Sequence, residues 1–358
     1  MAMILYAGSY TEMITVDFGG HGDGIYCFNF DPRSGSLQLM HALSGKNPSY
    51  LCIPSAGYLY THTEVIESDK PRSQAYKINK NDFSLQLMNE QEIPGGLPCY
   101  IKFSKKNNCI LVACYETGNT VIFPLAEEGK LLPHAKVIQH EGSSVNPLRQ
   151  ERAHAHMVAI DDNFNNILVV DLGMDKIMVY DIDKDNAKFV INLKQAVRLP
   201  PGSGPRHIAV HPATMLAYVI NELTATVTVM RYADGHMELM NTYQTLPKEF
   251  KEEPSGASIR VSENGKFIYI SERGENCITV LRFDKENQTM VIVGREKTMG
   301  KTPRDINLDP TGNWLLAANQ DSDSIAVFKI DKTTGMIRPE HLIENIKSPV
   351  CLEWLPVK

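Results

Sequence analysis

The chain has 358 residues, 43% hydrophobic and 22% charged, with a formal net charge of -6. That balance provides ample material for a core, and with no basic run or arginine-rich strip it argues against nucleic acid as a partner. No stretch reaches the roughly 18 apolar residues that span a bilayer, and seven Cys without a C-x-x-C pair read as buried thiols in a reducing compartment.

The N-terminal Met1-Ala2-Met3-Ile4-Leu5-Tyr6 lacks a basic n-region and reads as a strand, not as an export signal, which makes cytoplasm the expected location. From there one motif recurs: a Pro or small residue, a variable residue, then an apolar alternation. It appears as Asn47-Pro48-Ser49-Tyr50-Leu51, Leu97-Pro98-Cys99-Tyr100-Ile101 and His154-Ala155-His156-Met157-Val158. It returns as Gly204-Pro205-Arg206-His207-Ile208, Gly256-Ala257-Ser258-Ile259, Thr302-Pro303-Arg304-Asp305-Ile306 and Ser348-Pro349-Val350-Cys351-Leu352. The seven copies lie about 46 to 57 residues apart, a period that signals a repeat architecture.

Each unit continues in the same way. After the motif strand comes a turn such as Lys106-Asn107-Asn108 or Asp309-Pro310-Thr311-Gly312, whose residue types supply tight-turn backbone angles. A strongly apolar second strand follows, as in Ile110-Leu111-Val112-Ala113 or Leu315-Leu316-Ala317-Ala318. A third strand such as Val227-Thr228-Val229-Met230 and a more polar fourth complete the unit. Seven four-stranded antiparallel units in series predict an all-β, seven-bladed propeller occupying residues 1–358 as one domain. Ile4–Ala7 matches a second strand and Cys351–Trp354 a first strand, so one blade is expected to be closed by both termini. That removes a free sheet edge.

In such a blade the inner strand begins on the face where the second strand ends, and the long connections gather there as well. Function favours long loops on a rigid scaffold. The residues expected to line the channel mouth are Ser49, Cys99, His156, Arg206, Ala257, Arg304 and Val350. Pairs ending the second strands, among them Tyr115-Glu116, Asn221-Glu222, Glu272-Arg273 and Asn319-Gln320, join them. Here the apolar repeat breaks into His, Arg and Glu, and local violations of a pattern are where function is expected. Several cations with a carboxylate and an imidazole make a site for an anion, since Arg grips carboxylate or phosphate bidentately. His156, Glu222, Arg206 and Arg304 are the catalytic candidates. His154, Arg273, Asn221, Gln320 and Glu116 are candidate substrate contacts. His207 is expected to point away from Arg206, and Arg260 to fall off the channel register. His154 and His156 lack a third metal ligand at any suggestive spacing, so neither metal nor cofactor is expected.

These same stretches resemble the lactonase family of seven-bladed propellers, which includes a 6-phosphogluconolactonase and a carboxy-cis,cis-muconate cyclase. The likeness lies in Gly8-Ser9-Tyr10-Thr11, Gly24-Ile25-Tyr26, His154-Ala155-His156, Gly204-Pro205-Arg206-His207, Asn221-Glu222-Leu223, Thr302-Pro303-Arg304 and Asn319-Gln320-Asp321. Arg260 and Glu272 depart from it, standing where the family usually has His and Asn. The resemblance implies a metal-independent site of His156, Arg206, Glu222 and Arg304 that hydrolyses a lactone, first of all 6-phosphogluconolactone of the pentose phosphate pathway. Water would be activated by His156 or Glu222, with Arg206 and Arg304 on phosphate and oxyanion. The same groups could instead lactonise a carboxylated muconate, and a non-catalytic propeller binding an anionic metabolite or a protein is the alternative from another class.

Overall fold

Residues buried on both faces form the middle of each sheet. Cys109–Cys114, Asn166–Asp171 and Trp314–Asn319 are buried at every position, which is what their unbroken apolar runs require, whereas outer strands such as Ile337–Glu344 alternate between buried and exposed. In this computed structural model, which describes residues 3–185, 188–284 and 286–356, these strands build seven four-stranded antiparallel sheets. The inner strands are Pro349–Trp354, Leu51–Ser55, Pro98–Ser104, Ala155–Asp161, Pro205–Val210, Gly256–Val261 and Pro303–Leu308, taken as blades one to seven.

Blade one joins the two ends of the chain. Pro349–Trp354 pairs antiparallel with Met3–Ser9, with Leu5 opposite Trp354 and Gly8 opposite Cys351. The seam between blades one and seven is aromatic: the Phe30 ring packs edge-on to Trp354 at 5.1 Å and to Trp314 at 6.3 Å. Trp314 Nε1 donates to the Pro32 carbonyl at 2.8 Å. Gly35 sits beneath that indole at φ 74°, and a Cβ there would meet the ring at 2.4 Å, so the turn needs glycine on both counts. Both Trp residues are packing groups, and all seven cysteines are buried.

One feature repeats where four of the inner strands begin. The pairing register slips between Pro98 and Tyr100, Ala155 and Met157, Pro205 and His207, and Pro303 and Asp305. Each slip is a β-bulge that leaves Cys99, His156, Arg206 or Arg304 as the extra residue. A bulge resets the two-residue alternation, so the next residue faces the same way. The expectation that His207 points away from Arg206 is therefore corrected. The His207 ring packs edge-on to the rings of Tyr50, Tyr100 and His156, which come from three other blades, so it lies on the propeller axis. Arg260 is corrected for the same reason. Its Nη2 lies 2.9 Å from Asp305 Oδ1, and it lines the far end of the channel with Tyr50, Tyr100, Lys102 and Glu353. The residue before each Pro at these strand starts is left-handed, as in Leu97 (φ 47°), Thr302 (φ 55°) and Ser348 (φ 45°). Non-glycine residues held there are strained, and here they gather around one mouth of the channel.

Candidate active site

Just outside the bulges lies a cavity of about 330 Å³. Three kinds of position wall it. Cys99, His156 and Arg304 come from the bulges. Glu64, Tyr115, Glu222 and Arg273 lie at or just past the ends of second strands. Phe18, Arg149 and Ser255 reach in from long connections. A groove of about 1180 Å³ runs on the opposite, tight-turn side, along Asp161–Phe164 and His211–Leu216. The smaller cavity is the one where the titratable groups converge, and burial strengthens every charge in it.

Glu222 is the centre of the charge network. Its Oε1 accepts from Arg149 Nη2 at 2.6 Å, and its Oε2 lies 2.9 Å from Arg273 Nη2 and 3.0 Å from Arg206 Nε. Burial pushes its carboxyl up, but the Arg273, Arg149 and Arg206 guanidiniums outweigh that and hold it well below the usual carboxylate range. Arg206 lies behind it and does not line the cavity. Arg206 also donates to the Ala257 carbonyl at 2.7 Å and meets His207 Nε2 at 3.1 Å. Burial, then Arg273, push Arg206 down to about 10, which leaves it charged at neutral pH.

Arg304 is held differently. Its Nη2 donates to the Tyr10 hydroxyl at 2.8 Å, and its guanidinium stands 5.1 Å from the Tyr10 ring centre and 5.2 Å from that of Phe18. Phe18 belongs to a small hairpin, Met13–Thr15 with Phe18–Gly19, inserted in the long connection of blade one. His156 is buried, with Nδ1 3.8 Å from Cys99 Sγ and its ring edge-on to Tyr115 at 5.7 Å. Burial and the nearby Arg206 push its imidazole well below the ordinary histidine range, so it is neutral. Glu64 is also buried. Burial raises its carboxyl, against the opposing pull of Arg304, Ser49 and Tyr10. Four guanidiniums face two carboxyls, an excess of positive charge suited to an anion. Among the described residues no group of three or more His, Cys, Asp or Glu is arranged to hold a metal ion.

Of the nine residues singled out in the sequence, His156, Glu222, Arg273 and Arg304 line this cavity, and Arg206 braces it. The other four do not reach it. His154 stacks on Tyr115 at 4.3 Å and ties its two ring nitrogens to the Tyr115 carbonyl and Glu151, because the strand starts only at Ala155 and the bulge then changes the facing. Asn221 turns into its own blade and donates to Thr226 and Thr228. Gln320 donates to the Gly19 carbonyl at 3.1 Å, and Glu116 accepts from the Glu67 backbone N–H at 2.8 Å. Glu64, Arg149, Phe18 and Ser255 are wall residues that the sequence reading missed. Glu64 holds in blade two the place that Glu222 holds in blade five, two residues past the end of the second strand Tyr58–His62, so the same register rule reaches it. Arg149 and Phe18 sit in long irregular connections where no periodicity operates.

The fold and the cavity define a seven-bladed propeller with a guanidinium-lined cavity at one end of its channel. The family model described as lactonase, 7-bladed beta-propeller matches residues 4–354, and the chain belongs to that family. It is 31% identical to a 6-phosphogluconolactonase of Bacillus subtilis over 98% of this chain and 97% of that protein. It is 30% identical to a 6-phosphogluconolactonase of Formosa agariphila over 95% of this chain and 97% of that one. The solved structure of a periplasmic gluconolactonase from Pseudomonas aeruginosa superposes with a TM-score of 0.92 at 27% identity, covering 100% of both chains. No helix among the described residues is long and apolar enough to cross a membrane.

Proposed function

We propose that this chain hydrolyses 6-phosphogluconolactone to the open-chain acid without a metal. The observation that carries the reading is the convergence of Arg149, Arg273 and, from behind, Arg206 on Glu222, which with Arg304 walls one cavity of about 330 Å³. That volume lies at the small end of ligand pockets and suits a phosphorylated hexose-sized molecule. A phosphate calls for guanidiniums. A carbonyl oxygen turning into an oxyanion calls for the same donors held rigidly in a dry site, where such preorganised charge has its largest effect.

Two base assignments open in the sequence are narrowed by the surroundings. Glu222 is engaged by three guanidiniums, so its part is to aim them, and its carboxylate is a weak base. His156 is neutral and has lost basicity to burial and Arg206, which suits it to hydrogen-bond a lactone oxygen without adding charge. The full-length likeness to two proteins named 6-phosphogluconolactonase supports the substrate. We place the reaction in the pentose phosphate pathway and in the cytoplasm, where seven buried cysteines are compatible with a reducing medium.

Gluconolactone without its phosphate is the second reading, favoured by the structural likeness to the periplasmic gluconolactonase. Steady-state hydrolysis of both lactones, with spontaneous opening subtracted, tests the proposal. The phosphorylated substrate is expected to show the higher kcat/KM by about tenfold or more, the worth of one extra charged hydrogen bond. Equal values would move the assignment to the unphosphorylated lactone, and no acceleration of either would end it.

A further inference from the structure

The cavity holds two carboxyls in unlike settings. Glu222 meets three guanidiniums within 3.0 Å, whereas Glu64 forms no ion pair among the described residues. The Ser49 hydroxyl donates to Glu64 Oε2, the Tyr10 hydroxyl also hydrogen-bonds the carboxyl, and Arg304 stands nearby. Ser49 Oγ is also 3.1 Å from His62 Nε2. The His62 ring is fully buried, burial pushes it down to about 3, and its Nδ1 has no partner among the described residues. A buried orphan N–H is rarer than a buried orphan lone pair, so the proton of neutral His62 sits on Nε2 and is donated to Ser49 Oγ. That leaves the single hydroxyl proton of Ser49 for Glu64. The chain His62–Ser49–Glu64 thus fixes one carboxyl oxygen from behind, on a residue that walls the cavity.

We infer that Glu64 is a catalytic residue of the hydrolysis, the general base that takes a proton from the attacking water and returns it to the leaving ring oxygen. This rests on the lactonase reading above. In the first step an O–H bond of water breaks and its proton passes to the Glu64 carboxylate. The water oxygen bonds to the lactone carbonyl carbon, and the C=O electron pair moves onto oxygen among the guanidiniums. In the second step that pair re-forms the C=O bond and the bond between carbon and ring oxygen breaks. The proton held by Glu64 goes to the ring oxygen, which becomes a hydroxyl. Glu64 ends ionised, and the new carboxylic acid gives its own proton to solvent. The other cavity groups are less suited: Glu222 and His156 are depressed, and burial pushes the Cys99 thiol well above its usual range. Glu64 is the wall carboxyl whose affinity for a proton is raised, as a general base near neutral pH requires.

The test is steady-state hydrolysis of 6-phosphogluconolactone by Glu64→Gln, with spontaneous opening subtracted and folding checked by melting temperature. Turnover is expected to fall about 10²–10⁴-fold, with KM and the Kd for 6-phosphogluconate within about threefold of wild type. Turnover within about threefold of wild type in the folded variant overturns the inference. If Glu64→Gln does not fold, Glu64→Ala is assayed with and without formate. Lost turnover that formate restores by about tenfold or more supports a missing carboxylate base. Loss that formate leaves untouched, or no loss, overturns it. A wild-type chain that accelerates neither lactone defeats the lactonase reading instead, and this inference falls with it.

Discussion

Arg206 Nε donates to Glu222 Oε2 at 3.0 Å, and the two side chains are only 3% and 6% exposed. A pair so thoroughly desolvated persists because Glu222 is shared with Arg149 and Arg273, and because Arg206 has a backbone carbonyl and a histidine nitrogen for its remaining donors. Buried ion pairs contribute little net stability, but breaking one leaves uncompensated charge inside the protein.

Glu222→Gln should therefore cost about 3–5 kcal/mol in urea unfolding at neutral pH and raise KM through misdirected guanidiniums. The pH dependence has a definite sign. A carboxyl lowered in the folded state contributes stability above its unfolded value of about 4.3, and that contribution is lost as pH falls through its lowered folded value. The gap between wild type and variant should be full near neutrality and shrink in strong acid. Parallel unfolding curves for the two proteins at all pH values would contradict the network.

Arg304 and Arg149 should differ in weight. Arg304 is braced by Tyr10 and Phe18, whereas the Arg149 side chain is 39% exposed. Arg304→Ala is expected to weaken 6-phosphogluconate binding by about 1.5–3 kcal/mol in calorimetry, the loss of a charged hydrogen bond, and Arg149→Ala by less because water screens it. A larger loss at Arg149 would place the anion at the rim.

Glu272 is fully buried. Its Oε1 accepts from Thr245 Oγ1 at 2.8 Å, and its Oε2 has no hydrogen-bond partner among the described residues. Burial pushes its carboxyl up to about 8. Because the folded value is raised, its favourable contribution is complete below about pH 4.3 and is lost as pH rises through about 8. Glu272→Gln should match wild-type stability near pH 5 and exceed it near pH 9 by a few kcal/mol, at about 1.36 kcal/mol per unit of pKa. Equal stability of the two proteins near pH 9 would show the carboxyl to be solvated.

Ring closure depends on the last strand. Cys351, Leu352 and Trp354 are buried against Met3–Ser9 and the neighbouring blades. A chain ending at residue 348 would leave Met3–Ser9 as an open edge. Its expected behaviour is a lower and broader thermal transition with oligomers in size-exclusion chromatography. A wild-type transition in a monomer would mean that the ring does not need this lock.

The sheet architecture was legible along the chain because it rests on local rules. Alternation in Val227–Met230, unbroken apolar runs such as Ile110–Ala113, and Gly, Asn and Pro at the turns each act within a few residues. Seven repetitions then leave closure as the way to bury every blade face. The blade shared by the two chain ends was legible for the same reason, since Ile4–Ala7 reads as a second strand and Cys351–Trp354 as the first strand of one unit. His156, Glu222 and Arg304 stood out because they break that pattern at the axis. Tertiary structure alone decided how the side chains face and whom they meet. A bulge near the start of the inner strands of blades four, five and six reverses the alternation that a reader of the sequence extrapolates, which is why His207 and Arg260 turned inward while His154 stayed outside. The protonation of Glu222 and Glu64 is likewise not a property of either residue. It follows from whether guanidiniums of other strands and loops arrive within a hydrogen bond, and three arrive at Glu222 from blades four, five and six or the loops beside them, while none pairs with Glu64 among the described residues.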